Sequence, residues 1–468
     1  MSKKKLFILL ILSLVATLIS YQFIKKALIG RGKSSTEVTY SADVAPILNQ
    51  HCVSCHHDGG SGPFALTTYD EVMRKKKTIR KVISQNIMPP WPADPTYTHF
   101  VDENVLTDEE KQTIYKWMTG GHLFGDSSEL PALPSFNDLS SLGKPDVTLY
   151  MDSIFIEGNN RDKFFSVKIP FELPKDTFLR TIEFVTGEHN IVHHLNGHLI
   201  NYDADKKNDV LAGKRVLNVE VHPEQFLEDF AEMQLFHDNG QLGQNNRIES
   251  AVNYLPGVRG TRYPESIGGF PVNRKAAIYI KSLHYGPVQH DAWDRSHFNL
   301  FFSKTPPTRP TSELMLGTNG LSAIQPQLII PPDTVMTFRT SYRLTYDISL
   351  LTVNPHLHLL GKNFLAYGLT LEGDTIPLIR INRWDFRWQY FYTYRHPVKL
   401  PKGTLIVAEA TFDNTSNNLN NPYDPPRTIK ERFEFEGGSM RTTDEMFQFI
   451  LTYIPYESGD ETIDMTAN

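Results

Sequence analysis

Cysteine is almost missing from this sequence: two residues, Cys52 and Cys55, in 468. So sparse a supply excludes a disulfide framework, and core packing alone must stabilise the folded units. Basic clusters are equally scarce. Net charge is −6, and the body of the chain has no basic block beyond Arg74 to Lys77, which argues against nucleic acid as a partner. With 40% hydrophobic and 21% charged residues, and Gly and Pro at 29 and 30, neither a disordered nor a fibrous class fits.

A long apolar run occurs once, at Leu6 to Ile24 within "MSKKKLFILLILSLVATLISYQFIKK". It matches the roughly 20 residues that cross a bilayer, and it has neither a clean small-x-small cleavage site nor a lipidation cysteine. Residues 1–30 therefore read as an uncleaved transmembrane anchor, with a cleaved signal as the alternative. Basic residues flank the run on both sides, so the positive-inside rule leaves orientation open.

The two cysteines fall in "QHCVSCHH", and Cys52-Val53-Ser54-Cys55-His56 is the c-type haem attachment pattern. Two thiols at this spacing can form thioethers to a haem, and His56 can then ligate the iron. A zinc site would need a second cysteine pair, and a redox dithiol would want a βαβ context. Flanking segments read as helices. "SADVAPILNQH" has Asp43 or Ser41 as cap and Pro46 in its first turn, and "LTDEEKQTIYKWMTGG" has a capping box at Thr107 and Glu110 and an apolar stripe of Ile114, Trp117 and Met118. In the irregular "NIMPPWPADP" between them, Met88 is the candidate second axial ligand, whereas Met118 belongs to helix packing. Residues 38–122 are thus expected to form a small all-α cytochrome c-like domain. Haem c attachment places the chain facing the periplasm or cell exterior.

A Pro/Ser-rich linker, 123–145, is followed by a different pattern. Short alternating runs such as "FFSVKIPF" and "AAIYIKSLHY", separated by turn residues, predict two all-β sandwich, jelly-roll-like domains at 146–302 and 312–457 and a polar tail at 458–468. Histidines gather in three stretches. "EHNIVHHLNGHLI" holds His193 and His194, "KSLHYGP" holds His284, and "NPHLHLLGKNF" holds His356 and His358. On a strand, residues two apart share a face, so His356 and His358 project side by side, either as a polar sheet face or as metal ligands. His193 and His194 are adjacent and can share a metal only where the strand twists or bulges. His189, His198, His237 and His396 read as ordinary hydrogen-bonding residues.

Taken in order, HH, HYG, HxH-x-x-GK and the T-x-DEM of "MRTTDEMFQF" resemble the copper type II, ascorbate-dependent monooxygenases (the peptidylglycine α-hydroxylating and dopamine β-monooxygenase family) over residues 145–457. The resemblance implies one copper held by His193, His194 and His284 and a second held by His356, His358 and Met446. The second would be the catalytic, O₂-meeting centre, since a thioether favours Cu(I). Peptide-amidating members carry an Arg where this chain has Asn354, and an Asn and a Tyr where it has Gln448 and Ile450, so the clamp for a peptide carboxylate is missing.

These readings converge on a membrane-anchored enzyme with one covalent haem c and two copper ions. It would use O₂ to hydroxylate a small-molecule substrate, with electrons from a respiratory cytochrome or quinol-linked reductase entering through the haem. The alternative is an electron-transfer or copper-binding cytochrome that hydroxylates nothing. A weaker third reading is a haem sensor module on a partner-binding sandwich.

Overall fold

The computed structural model describes residues 37–136, 140, 142–188, 190–219, 226–241, 247–256, 263–264, 267–432 and 443–466. The chain is predominantly β. Three helices, α1 (Ala45–His51), α2 (Tyr69–Ser84) and α3 (Asp108–Thr119), make up the N-terminal part after a π turn at Tyr40–Val44. Thr39, not Ser41 or Asp43, caps that turn, and Asp43 reaches back to the Thr39 N–H at 2.8 Å. Both longer helices begin with a capping box, Thr68/Glu71 and Thr107/Glu110. Tyr40, Leu48, Val72, Ile83, Ile114, Trp117 and Met118 form their shared core.

The expectation of a self-contained all-α domain needs correction. "MPPWP" cannot continue a helix, because proline lacks the N–H and disfavours αR in the residue before it. The chain therefore leaves α2 as an extended strap, residues 88–101, and this strap adds itself to the second β unit. Ala93 bridges Ile381 and Phe100 bridges Tyr394. Asp94 N–H donates to Arg380 O and Val101 N–H to Thr393 O, at 2.8 and 2.7 Å. Ala93 and Phe100 belong to the core of the β unit rather than to that of the helices. The Asp94 carboxylate is held well down, to about 2, by hydrogen bonds from Thr96, Asn382 and Arg380 that outweigh its burial.

The transmembrane helix is corrected as well. Among the described residues no helix is long and apolar enough to cross a membrane. The longest, α2, has 16 residues, about 24 Å at 1.5 Å per residue against a hydrocarbon core of ~30 Å. It also carries Arg74, Lys75, Lys76, Lys77, Arg80 and Lys81. The Leu6–Ile24 run lies outside the described residues. Neither the anchor nor a membrane-bound location has support in the structure.

Each β unit pairs a four-stranded with a five-stranded sheet, plus a two-stranded ribbon. In the first unit the five-stranded sheet contains β1 (Lys163–Glu172), β2 (Val192–Tyr202), β3 (Arg247–Tyr254) and β4 (Lys275–Tyr285), in the order β1-β4-β2-β3 with the short strand Val216–Asn218 outside β1. In the second unit β5 (Ile348–Leu357), β6 (Tyr392–Leu400) and β7 (Phe447–Pro455) lie in the four-stranded sheet, with β5 between β7 and β6. The two units share apolar contacts. Leu351 of β5 and Ile454 of β7 are buried in the core of the first unit, together with Met465 from the 458–468 tail. That tail is docked, with buried Asp460 accepting from Arg309 at 2.7 and 2.9 Å and from Ser349.

The first unit also buries Lys168, whose ammonium donates to Ala212 O and Met233 O at 2.7 and 2.8 Å. Burial, with Lys207 and Arg215 nearby, pushes it down to about 7. Unfolded chains keep this proton to ~10.5, so the native state binds fewer protons between those limits and stability rises with pH there. Urea midpoints should therefore climb as pH is raised above about 7, and Lys168→Met should flatten the climb.

Candidate metal and haem centres

β2 and β4 pair antiparallel with Val192 opposite Tyr285 and His194 opposite His284, so the register slips at His193. This bulge turns the two adjacent imidazoles to one side of the sheet. The Nδ1 atom of His194 lies 3.1 Å from Nδ1 of His193 and 3.3 Å from Nδ1 of His284. Three nitrogens at ~2.0 Å from one ion, spread trigonally, stand about 3.5 Å apart, close to this spacing. The three histidines form the one cluster of His, Cys, Asp and Glu among the described residues able to hold a metal. The Asp162 carboxylate accepts from His284 Nε2 at 2.7 Å, which leaves the lone pair on the inward Nδ1. The Phe164 ring stacks on His284 at 4.4 Å. Burial lowers the pKa of all three histidines, most strongly for His194, where the charges of His284, His193 and His356 add to it. The rings are thereby kept neutral, as metal ligation requires.

In the second unit β5 and β7 pair with Asn354 opposite Ile450 and His356 opposite Gln448. Directly opposed residues share a face. The pairing ends with Leu357 opposite Phe447, so His358 and Met446 flank the last pair, and the rings of His356 and His358 stand 5.2 Å apart. His358 Nδ1 donates to Asp444 O at 2.9 Å, which fixes the tautomer of the ring. Burial and the neighbouring His358 push His356 down to about 3. Met446 is buried.

Several residues that the sequence reading passed over organise these clusters. Glu445 lies inside the quoted T-x-DEM stretch, but nothing in the motif assigned it a role. It is fully buried and accepts from three backbone N–H groups, Leu360 at 2.7, His358 at 3.1 and Met446 at 3.3 Å. Burial raises its pKa to about 8 against the pull of those donors. The side chain thus pins the end of β5 to the start of β7, holding His358 and Met446 in place. Glu445→Gln offers one acceptor oxygen where two are used. It should weaken copper binding at this face by about 10–100-fold, read by competition titration, and leave the His193 cluster unaltered.

Phe386 joins the two clusters. Its ring lies 6.5 Å from that of His194 and 5.8 Å from that of His358. With Leu359 and Arg387 of the second unit, and Asp162, Phe164 and the three histidines of the first, it lines a cleft of about 260 Å³. Arg387 is neutralised by two bonds to Asp385, at 2.9 and 2.6 Å. The groups at the expected clamp positions are already engaged or apolar. Asn354 donates to Tyr390 O, Gln448 donates to Thr318 O, and Ile450 is buried.

In the helical part, Cys52 closes α1 and Cys55 follows in a turn. His56 Nδ1 donates to Phe64 O at 2.9 Å, so Nε2 is its free nitrogen. A Cβ on Gly62 would stand 2.6 Å from this ring, which accounts for the glycine. Met118 lies in the helical core. Met88 is half-buried on the strap, outside that core. The Trp91 Nε1–H, three residues on, is buried with no acceptor among the described residues. Of the remaining histidines, His237 accepts from Asp203 N–H, His396 donates to Ile463 O, His198 stands near Tyr279, and His189 is outside the described residues.

No family model matches this chain. No curated protein matches it either. Among similar solved structures is a chain from "Structure of infectious bursal disease virus Gt strain", 8% identical over 68% of this chain and 83% of that one, with a TM-score of 0.15. A likeness this low carries no argument about fold or function.

Proposed function

We propose that this protein is a copper-dependent monooxygenase that uses O₂ to hydroxylate a C–H bond of a small substrate, with electrons entering through a covalently bound haem c. The observation that carries the reading is the convergence of three Nδ1 atoms, from His193, His194 and His284, beside a cleft whose Phe386 wall also touches His358. The donor sets suit the groups. Three imidazoles suit either copper oxidation state, and two imidazoles with a thioether favour Cu(I). For haem c, Cys52, Cys55 and His56 have the attachment spacing, His56 keeps Nε2 free, and Met88 is a thioether outside the core.

When bound, copper supplies one-electron chemistry at an O₂-accessible centre, and haem supplies one-electron storage. The chain does the rest. Asp162 and the Asp444 carbonyl fix which ring nitrogen His284 and His358 present. Glu445 holds His358 and Met446 in register. Phe164, Leu359 and Phe386 make the cleft walls apolar, so a substrate that is neutral or apolar near its reacting carbon is favoured over a carboxylate.

The test is copper and haem quantitation on the full chain produced with a cytochrome c maturation system, followed by O₂ uptake with candidate substrates. Two coppers and one haem with O₂-coupled product support the reading. The same metals with no product in any assay support an electron-transfer protein instead, and a chain without copper sinks both. Glycine-extended peptides should give no O₂ uptake above background, because Asn354 and Ile450 offer their carboxylate no cation. Efficient amidation would overturn the substrate assignment.

A further inference from the structure

The strap 88–101 does more than tie the helical part to the second β unit. The Tyr390 hydroxyl donates to Pro90 O at 2.7 Å. The Trp91 ring packs against those of Tyr390 and Tyr392, each at 5.5 Å, and Trp388 stacks over Tyr390 at 6.4 Å. Tyr390 is the last residue before a short loop that runs back to Phe386, and Gln389 Nε2 closes that loop on Phe386 O at 2.8 Å. Phe386 in turn touches His194 and His358. Packed rings and short bonds therefore lead from the strap that follows Met88 to the wall shared by both histidine clusters.

We propose that Trp91 and Tyr390, continued by the 386–390 loop, are the electron-entry route from the haem to the copper pair. This rests on the haem and copper reading given above. The step is a one-electron exchange in which a ferrous haem becomes ferric and a cupric ion at one histidine cluster becomes cuprous, with no bond broken and no proton moved. Packed rings serve because electron tunnelling weakens steeply with distance, and more steeply across gaps than through bonded or touching atoms. Tyr390 and Tyr254 both lie within electrostatic reach of the Cys55 position, so the alternative edge is Tyr254 on β3. The Tyr390 side is favoured because its contacts continue to Phe386.

The test uses the full chain loaded with haem and copper, reduced at the haem by a brief light-driven one-electron donor under argon. The readout is haem reoxidation, with O₂ and substrate both absent. Trp91→Leu and Tyr390→Leu should slow reoxidation by an order of magnitude or more, with haem content, copper content and haem midpoint potential unchanged. Tyr390→Phe should keep the rate, because the ring rather than the hydroxyl carries the contact. Tyr390 is buried, so if its leucine variant fails to fold, the half-exposed Trp91 position carries the test. A wild-type rate in Trp91→Leu, with the fold and full metal content retained, would overturn the route and point to the Tyr254 edge. A wild-type chain lacking haem or copper would overturn the proposed function, and this route with it.

Discussion

His358→Ala is expected to remove one of two coppers and all O₂-dependent product. The proposed site has two imidazoles and one thioether, so a third of its donor set goes with this ring. The loss extends further, because His358 is tied on three sides. Its Nδ1–H donates to Asp444 O, its backbone N–H donates to Glu445, and its ring meets Phe386. Truncation leaves the Asp444 carbonyl without this donor and opens the wall between the clusters. The His193 cluster has its own support in Asp162 and the β2 bulge, so it should keep its copper. The haem spectrum should not change, since Cys52, Cys55 and His56 lie in the helical part. Met446→His should retain copper but lower reactivity, because a harder ligand disfavours Cu(I). X-ray absorption on the reduced protein should show a copper–sulfur shell that Met446→His removes. Unaltered copper stoichiometry in His358→Ala, with no sulfur shell, would reduce "HLH" to a polar sheet face.

The second large effect concerns the haem. Cys52→Ala with Cys55→Ala should abolish haem staining after denaturing electrophoresis while both coppers stay bound. Burial and the neighbouring Cys55 push the Cys52 thiol up to about 12. A thiol that stays protonated at neutral pH is a poor nucleophile for disulfide exchange, which disfavours the redox-dithiol reading of the same motif. Alkylation by a haem vinyl group consumes the thiol instead. Met88→Ala should remove any methionine-to-iron charge-transfer band, and a band that survives would move the sixth ligand elsewhere. If haem staining persists in the double alanine variant, the attachment site is wrong.

The proposed ligands could be picked out in the sequence because each motif is local. C-x-x-C-H is set by spacing along the chain, and His356 and His358 share a face because strand side chains alternate with period two. The caps at Thr107 and Glu110 were legible for the same reason, since a capping box spans three residues. What the sequence by itself determined was therefore residue type and short-range geometry, along with the exclusion of a disulfide framework. The tertiary structure decided everything that depends on strands distant in sequence. A one-residue slip between β2 and β4 turned His193 and His194 to one side, and alternation alone predicts the opposite. The roles of Asp162, Phe386 and Glu445 come from register and packing between residues distant in sequence: Asp162 and His284 are 122 residues apart and Glu445 and Leu360 85, and Phe386 meets His194 from the other β unit. The fold also overruled the domain plan. A proline-rich segment that reads as an internal loop of a cytochrome has free backbone donors and acceptors, and the edge of the second β unit pairs them. No pattern within the strap names that edge, because the bonding partner of an extended segment is settled only when the rest of the sheet has formed.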